Sequence, residues 1–301
     1  MTLRDSLLAA LVAVLWGFNF IAIDWGMEGV PPLLFLAIRF VVVVFPAILF
    51  VRRPDAPWWK VALVGLFMSL GQFSLLYLSI DAGLSPGLAA LVLQAQVIFT
   101  IVIAAGALRE VPTSWQLAGV LVGAVGLVVV GVGRGGDTPL VALLTCVGAA
   151  LSWGIGNVLS RASGVSGGLS LTVWSALVVP VPALALSLLI DGPAGVREGL
   201  AAFGWPALLG TLYTAVLASL VGYGIFNTLL SRNRPSAVVP WILLVPPVAM
   251  VSAWLCFGDV PNAAETLGGA VMLGGVLVAL RPPRREVAGP QRRTASISSR
   301  T

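Results

Sequence analysis

The sequence predicts an all-α integral membrane protein, and three observations carry that prediction. Apolar residues fill 58% of the 301 positions and charged residues only 10%, against about a quarter charged in an ordinary soluble domain. Ten apolar runs follow one another, each near the roughly 20 residues that a helix needs to cross a bilayer. The charged residues fall almost wholly between those runs. Such an excess of apolar surface has no place in a soluble core, because soluble chains of this length divide into domains with polar skins.

Taken in order, the runs are residues 7–25, 31–51, 59–80, 86–108, 115–133, 139–160, 169–190, 205–230, 236–257 and 263–280. The first is a retained helix, since only Arg4 precedes it as a basic residue of a signal, and Asn19 and Asp24 stand where a cleavage zone would lie. Within the second run sits Arg39, the one charge at depth. The fourth carries Gln94 and Gln96 near its start. In the fifth, Gly119, Gly123 and Gly126 permit close helix approach, which leaves packing inside the chain and a homodimer both open. The sixth and the ninth hold Cys146 and Cys256, read as small core hydrophobes. Pro246-Pro247 breaks the ninth and frees carbonyls, which must find other donors or line a cavity.

The charges order these runs across the membrane. With both termini cytoplasmic, inside segments hold fourteen of the seventeen basic residues, including Arg281 and the five arginines of a tail from 282 onward, as the positive-inside rule requires. The tail suits anionic headgroups of membrane lipids. No aromatic residue interleaves its arginines, so nucleic acid is not the expected partner.

The chain also repeats itself. Glu110-Val-Pro with Gly119 and Gly126 matches Asp259-Val-Pro with Gly268 and Gly275, and Trp16-Gly17 with Asn19 resembles Trp153-Gly154 with Asn157. A first repeat over residues 5–133 and a second over 139–281 then hold five helices each, followed by the tail at 282–301. Five is odd, so the second repeat enters the membrane upside down. Inverted repeats are a transporter architecture with the substrate near mid-membrane at the repeat interface.

Catalysis lacks its usual instruments. The chain has no histidine, hence neither a His-based proton shuttle nor a His/Cys metal cluster, and no cofactor is expected. Gly131-Val-Gly-Arg-Gly-Gly136 fits G-x-G-x-x-G, yet it ends a lipid-length helix and lacks the strand that a nucleotide fold puts before it. What remains at depth is Asn19, Arg39, Gln72, Gln94, Gln96, Asn157, Tyr223 and Asn227. A charge at depth costs at least about 2.5 kcal/mol, so Arg39 faces a cavity or a partner, or else snorkels to the interface. Asp24 and Asp81 lie near the outward helix ends, where plain exposure at the interface is expected, with proton coupling or pairing with Arg39 as the alternatives. At about 100° per residue, positions two apart diverge by about 200°, so one of Gln94 and Gln96 faces a cavity and the other a neighbouring helix. Which is which stays open. Aligned by their glycines, Gln96 stands opposite Val245 and Val97 opposite Pro246, while Trp174 takes the place of Arg39 and is the expected cavity wall.

The segments LWGFNFIAIDWGMEGVPPLLFLAIRF, GLSPGLAALVLQAQVIFTIVI, LSWGIGNVLSR, VGYGIFNTLLSR and VVPWILLVPPVAM together resemble the EamA family of the drug/metabolite transporter superfamily. The resemblance spans residues 5 to 280 and is strongest to its bacterial O-acetylserine and cysteine exporters. It implies ten helices, a central cavity and efflux of small metabolites across the bacterial inner membrane. A cysteine-like or O-acetylserine-like substrate would then place its carboxylate at Arg39 and its other polar groups on Asn19, one glutamine, Asn157 and Tyr223. Family members usually carry a lysine where this chain has Asp24, so no basic contact transfers to that position. Efflux of amphipathic drugs and a non-transporting membrane scaffold are the rival expectations.

Overall fold

The computed structural model describes residues 1–133, 138–164 and 169–281, without the side chains of residues 235 and 236. The tail and residues 134–136 of the glycine motif lie outside the described residues, among which there is no β-strand. Eight helical stretches are long and apolar enough to cross a membrane: α1 (Leu3–Gly26), α3 (Trp58–Asp81), α4 (Pro86–Ala107), α5 (Ser114–Gly133), α6 (Leu140–Ala162), α7 (Leu169–Ile190), α8 (Trp205–Arg232) and α9 (Val239–Phe257). Two shorter apolar helices, α2 (Pro32–Ile48) and α10 (Ala263–Ala279), occupy the second and tenth runs.

Local chemistry sets the ends. Thr2 accepts the Asp5 N–H at the start of α1, and Ser85 accepts the Leu88 N–H at the start of α4, where Pro86 fills the first position. Asn262 and Glu265 cap α10 reciprocally. Gly258, at φ 75°, closes α9 in a left-handed turn. Both described chain ends reach one face of the bundle, called here the terminal face, where Asn233 bonds Asp5 at 3.3 Å and Arg281 lies over the Trp115 ring at 4.8 Å.

Several spans are irregular, and the irregularities recur in both halves. A π segment, Leu66–Gly71, interrupts α3, and another, Tyr213–Gly222, interrupts α8. The displacement along the chain from Gly71 to Gly222 also separates Gln72 from Tyr223, where α-helix resumes, and Phe67 from Ala218. The carbonyls of those last two accept from outside their own helices: Ser152 Oγ of α6 donates to Phe67 at 2.7 Å, and Trp16 Nε1 of α1 to Ala218 at 2.9 Å. Gly71 and Gly222 make room for those donors, since a Cβ at either would strike Ser152 Oγ or the Trp16 indole. A π segment leaves carbonyls misaligned, and a buried one must be paired.

The second pair of interruptions lies in α4 and α9. At Gln94 and Ala95 the α4 helix tightens through bonds three residues apart, from the N–H groups of Gln94, Ala95 and Val97, and regular helix resumes at Gln96. The ninth run is broken, as the prolines predict: a 3-10 turn over Val239–Leu244 precedes the α-helix that starts at Val245. Proline is the cause, since Pro246 and Pro247 have no N–H to give the preceding turn. Gln96 and Val245 stand as far apart as Glu110 and Asp259, so the two breaks fall at the same offset as that motif pair. Each also receives a glycine from a neighbour, Gly154 of α6 against Phe99 and Gly17 of α1 against Val248.

The glycine pattern of α5 is consumed inside the chain. Gly119 lies against Gly275 and Ala279 of α10, and Gly126 against Gly268 and Met272. Each glycine thus meets the counterpart of the other, the exchange that a two-fold relation produces.

Candidate functional site

Where these interruptions converge, the bundle holds a cavity of about 310 Å³. All four restart residues, Gln72, Gln96, Tyr223 and Val245, line it, together with Trp16 and Asn19 of α1 and Trp153 and Asn157 of α6. In carriers, interrupted helices turn polar groups and freed backbone toward a substrate site; here the interruptions converge on this cavity. Toward the terminal face two smaller cavities adjoin it. One of about 280 Å³ shares Gln96 and Asn157 with it and runs to Arg161 and Glu110; the other, of about 210 Å³, shares Met68, Phe73, Tyr223 and Phe226 and includes Ser219 and Asn227.

Arg39 is the cavity's one ionised lining residue. Only 2% of it is exposed, so it does not snorkel. Nη1 donates to the Tyr77 hydroxyl at 2.6 Å and Nη2 to Ser219 Oγ at 3.1 Å, while the guanidinium carbon stands 4.4 Å from the Phe73 ring centre. Ser219 is itself oriented by donating to the Thr214 carbonyl at 2.8 Å, a bond that spans the π segment of α8. The Nε atom of Arg39 is buried without a partner, and so is Asn19 Oδ1. The alternative in which Arg39 pairs with Asp24 or Asp81 is not seen: among the described residues the ion pair is Arg161 with Glu110, 3.2 Å apart on the terminal face. Neither aspartate lines a cavity described above, because both sit at the ends of their helices away from that face, Asp24 half-buried and Asp81 exposed.

The two glutamines correct the helical-wheel expectation. Both line the central cavity, because the turn between them is tighter than an α-helix and brings their side chains round to one side. Gln94 Nε2 reaches the Ile242 carbonyl at 3.4 Å. That carbonyl is the one which the N–H missing from Pro246 would have engaged, so Gln94 of one half answers the proline break of the other. Gln96 Oε1 accepts from Asn157 Nδ2 at 2.8 Å, and the same amide reaches Thr100 Oγ1 at 3.2 Å. The bridge from Gln96 to Asn157 divides the central cavity from the cavity toward Arg161.

Two expected site residues lie elsewhere. Pro246 is buried beside the cavity, but Val245 and Ile242 form the wall there. Trp174 packs with Val61, Val64 and Leu171, and its Nε1 donates to the Val51 carbonyl at 3.0 Å near the terminal face. A break in α7 at residues 177–179, before Pro180, separates it from the level of Arg39. Sequence reasoning missed Trp16, Trp153, Phe226, Tyr77 and Ser219. The two tryptophans were visible as repeat markers, and their shared glycine neighbour was the signal that they belonged to one site. Nothing in the sequence distinguishes Ser219 from other hydroxyls in apolar runs.

Comparison with known proteins identifies the family. The model of the EamA-like transporter family matches residues 4–132 and again 140–281. The chain is 36% identical, over 92% of its length and 95% of the relative's, to a probable amino-acid metabolite efflux pump of Escherichia coli. It is 28% identical, over 94% of its length and 96% of the relative's, to a probable terminal-alkyne amino-acid exporter of Streptantibioticus cattleyicolor. A solved crystal structure covers 95% of the chain, and 99% of its own, with a TM-score of 0.62 at 19% identity, a likeness of fold.

Proposed function

The chain belongs to the EamA-like transporter family, and from that premise we propose an alternating-access exporter of small amino acids or their metabolites, of the O-acetylserine and cysteine type, in the bacterial inner membrane. Its frame is two inverted five-helix repeats, residues 5–133 and 139–281, with both termini and the basic tail cytoplasmic. The matched interruptions of α3 with α8 and of α4 with α9 support the repeats, and so does the crossed glycine seam of α5 and α10.

One observation carries the substrate reading: in a cavity of amino-acid size, a buried guanidinium keeps one N–H free and a buried amide keeps one oxygen free. An unmet buried polar group costs about 1–3 kcal/mol, so a ligand offering an acceptor to Arg39 and a donor to Asn19 recovers that cost on binding. A carboxylate beside a nitrogen carries both. The names of the two relatives, an amino-acid metabolite efflux pump and an amino-acid exporter, point the same way. Substrate enters from the cytoplasmic side through the cavities on the terminal face, past the Gln96–Asn157 bridge or past Tyr223. Asp24 and Asp81 are the carboxylates through which a proton gradient would act.

The test is uptake of labelled O-acetylserine and cysteine into inverted membrane vesicles, with and without a pH gradient. Uptake that requires the protein supports the exporter, and its response to the gradient separates coupling from exchange. No uptake of either compound by protein shown to be folded in the membrane overturns the substrate reading.

A further inference from the structure

The charge of the central cavity narrows the substrate class further than its size does. Arg39 is ionised and no carboxylate stands among the lining residues. Its partners, the Tyr77 and Ser219 hydroxyls and the Phe73 ring, are all neutral. A buried charge is expensive unless a counter-charge meets it, so the cavity lining carries a net positive charge that a ligand can neutralise.

A zwitterion does this badly. Its carboxylate would meet Arg39, but its ammonium would then be buried in the same small space, and the net charge would stay positive. Aromatic faces hold ammonium elsewhere, but here Trp16 leans on Tyr223 and Phe226 with ring centres 5.0 and 5.2 Å apart and Phe73 already carries Arg39; Trp153 and Phe20 remain, and a ring face does not cancel the charge of Arg39. Of the amide oxygens, that of Gln96 is engaged by Asn157. A monoanion closes the balance. Asn19 Oδ1 still wants a donor, which an uncharged N–H supplies as well as an ammonium does.

We propose that the preferred cargo is an N-acylated amino acid carried as a monoanion, with its carboxylate on Arg39, its amide N–H on Asn19 and its acyl group against Trp16, Trp153 and Phe226. This rests on the exporter reading and specifies its substrate. N-acetylserine and O-acetylserine test it directly, because they are isomers that differ in which heteroatom bears the acetyl group and therefore in net charge. Flux of each is measured in proteoliposomes at zero membrane potential, in mildly acidic buffer where acyl transfer between oxygen and nitrogen is slow.

The expected result is a catalytic efficiency about tenfold higher for N-acetylserine, the size of one charge-assisted contact. Arg39→Gln should bring the ratio to within about twofold, and Arg39→Lys, which keeps the charge, should retain the direction of the preference. Equal flux, or preference for O-acetylserine, overturns the inference and leaves the exporter standing. Should neither isomer nor cysteine move through folded protein, the exporter reading falls and the inference with it. Thermal stabilisation of the purified wild type gives the same decision without a variant: N-acetylserine must stabilise more than its isomer at equal concentration, and the reverse order overturns the proposal.

Discussion

The two halves of the chain share a frame and divide the chemistry. Both interrupt their third span with a π segment and their fourth with a tight turn, and both set a glycine of their first span against the fourth span of the other half. The side chains displayed on that frame differ. Residues 1–133 place Asn19, Arg39, Gln72, Gln94 and Gln96 on the cavity, whereas the second half answers with rings and aliphatic side chains, Asn157 its one amide. Gln72 faces its counterpart Tyr223 in this sense, and Gln96 its counterpart Val245. Backbone interruptions thus recur at matching positions in the two halves, while the side chains displayed at them differ.

The division breaks most severely at Arg39. Replacing it by Gln removes the cation, and transport of a carboxylate substrate should fall about tenfold to a hundredfold, as loss of a charged hydrogen bond of about 1.5–3 kcal/mol implies. The Tyr77 and Ser219 hydroxyls would lose a donor as well, so the deficit should appear in both KM and maximal flux. Flux that stays within twofold of wild type would mean that the charge belongs to the frame and not to recognition.

A smaller effect is expected where the first half is made to copy the second. Gln96→Val gives α4 the residue that α9 has at Val245 and takes the acceptor from Asn157 Nδ2, whose other partner is Thr100 at 3.2 Å. A weakened partition toward the terminal face should raise leak and lower transport by up to about tenfold, the worth of one buried hydrogen bond left unmade. Unchanged flux and tightness would show that the bridge is incidental to the route.

The frame itself should respond evenly. Gly71→Ala and Gly222→Ala each drive a methyl into the donor that satisfies a freed carbonyl, Ser152 in one half and Trp16 in the other. Overpacking of this kind costs about 1–3 kcal/mol, which should lower the melting temperature of each variant by a few degrees, equally within error. Unequal shifts would show that one half carries the structure and the other follows it.

How far such a frame can be read from a sequence depends on the range of the interaction that makes it. The spans were legible from composition, and the glycines at Gly119, Gly126, Gly268 and Gly275 from spacing, because hydropathy and small size act locally. Interruptions were legible only at proline. Gln94 and Ala95 carry no such mark, and treating them as regular helix put Gln94 and Gln96 on opposite sides when the turn between them puts both on the cavity. The π segments were equally hidden, since the donors to their carbonyls, Ser152 and Trp16, come from far along the chain. Tyr77 and Ser219 follow the same rule: the residues that hold Arg39 are set by which spans pack together.

Trp174 gives the smallest effect and the sharpest check on where the repeat stops. By alignment it replaces Arg39, yet the break before Pro180 leaves it beside Val51, to whose carbonyl its indole donates. Trp174→Phe keeps most of the ring packing against Val61, Val64 and Leu171 and removes that one bond, at a net cost of about 1 kcal/mol. Stability should drop slightly and flux should remain within about twofold, since about 1 kcal/mol spent away from the cavity acts on the fold and not on binding. A loss as large as that of Arg39→Gln would put Trp174 on the substrate's path and require α7 to straighten during transport, so that its two halves present one surface to the cavity as the uninterrupted α2 already does.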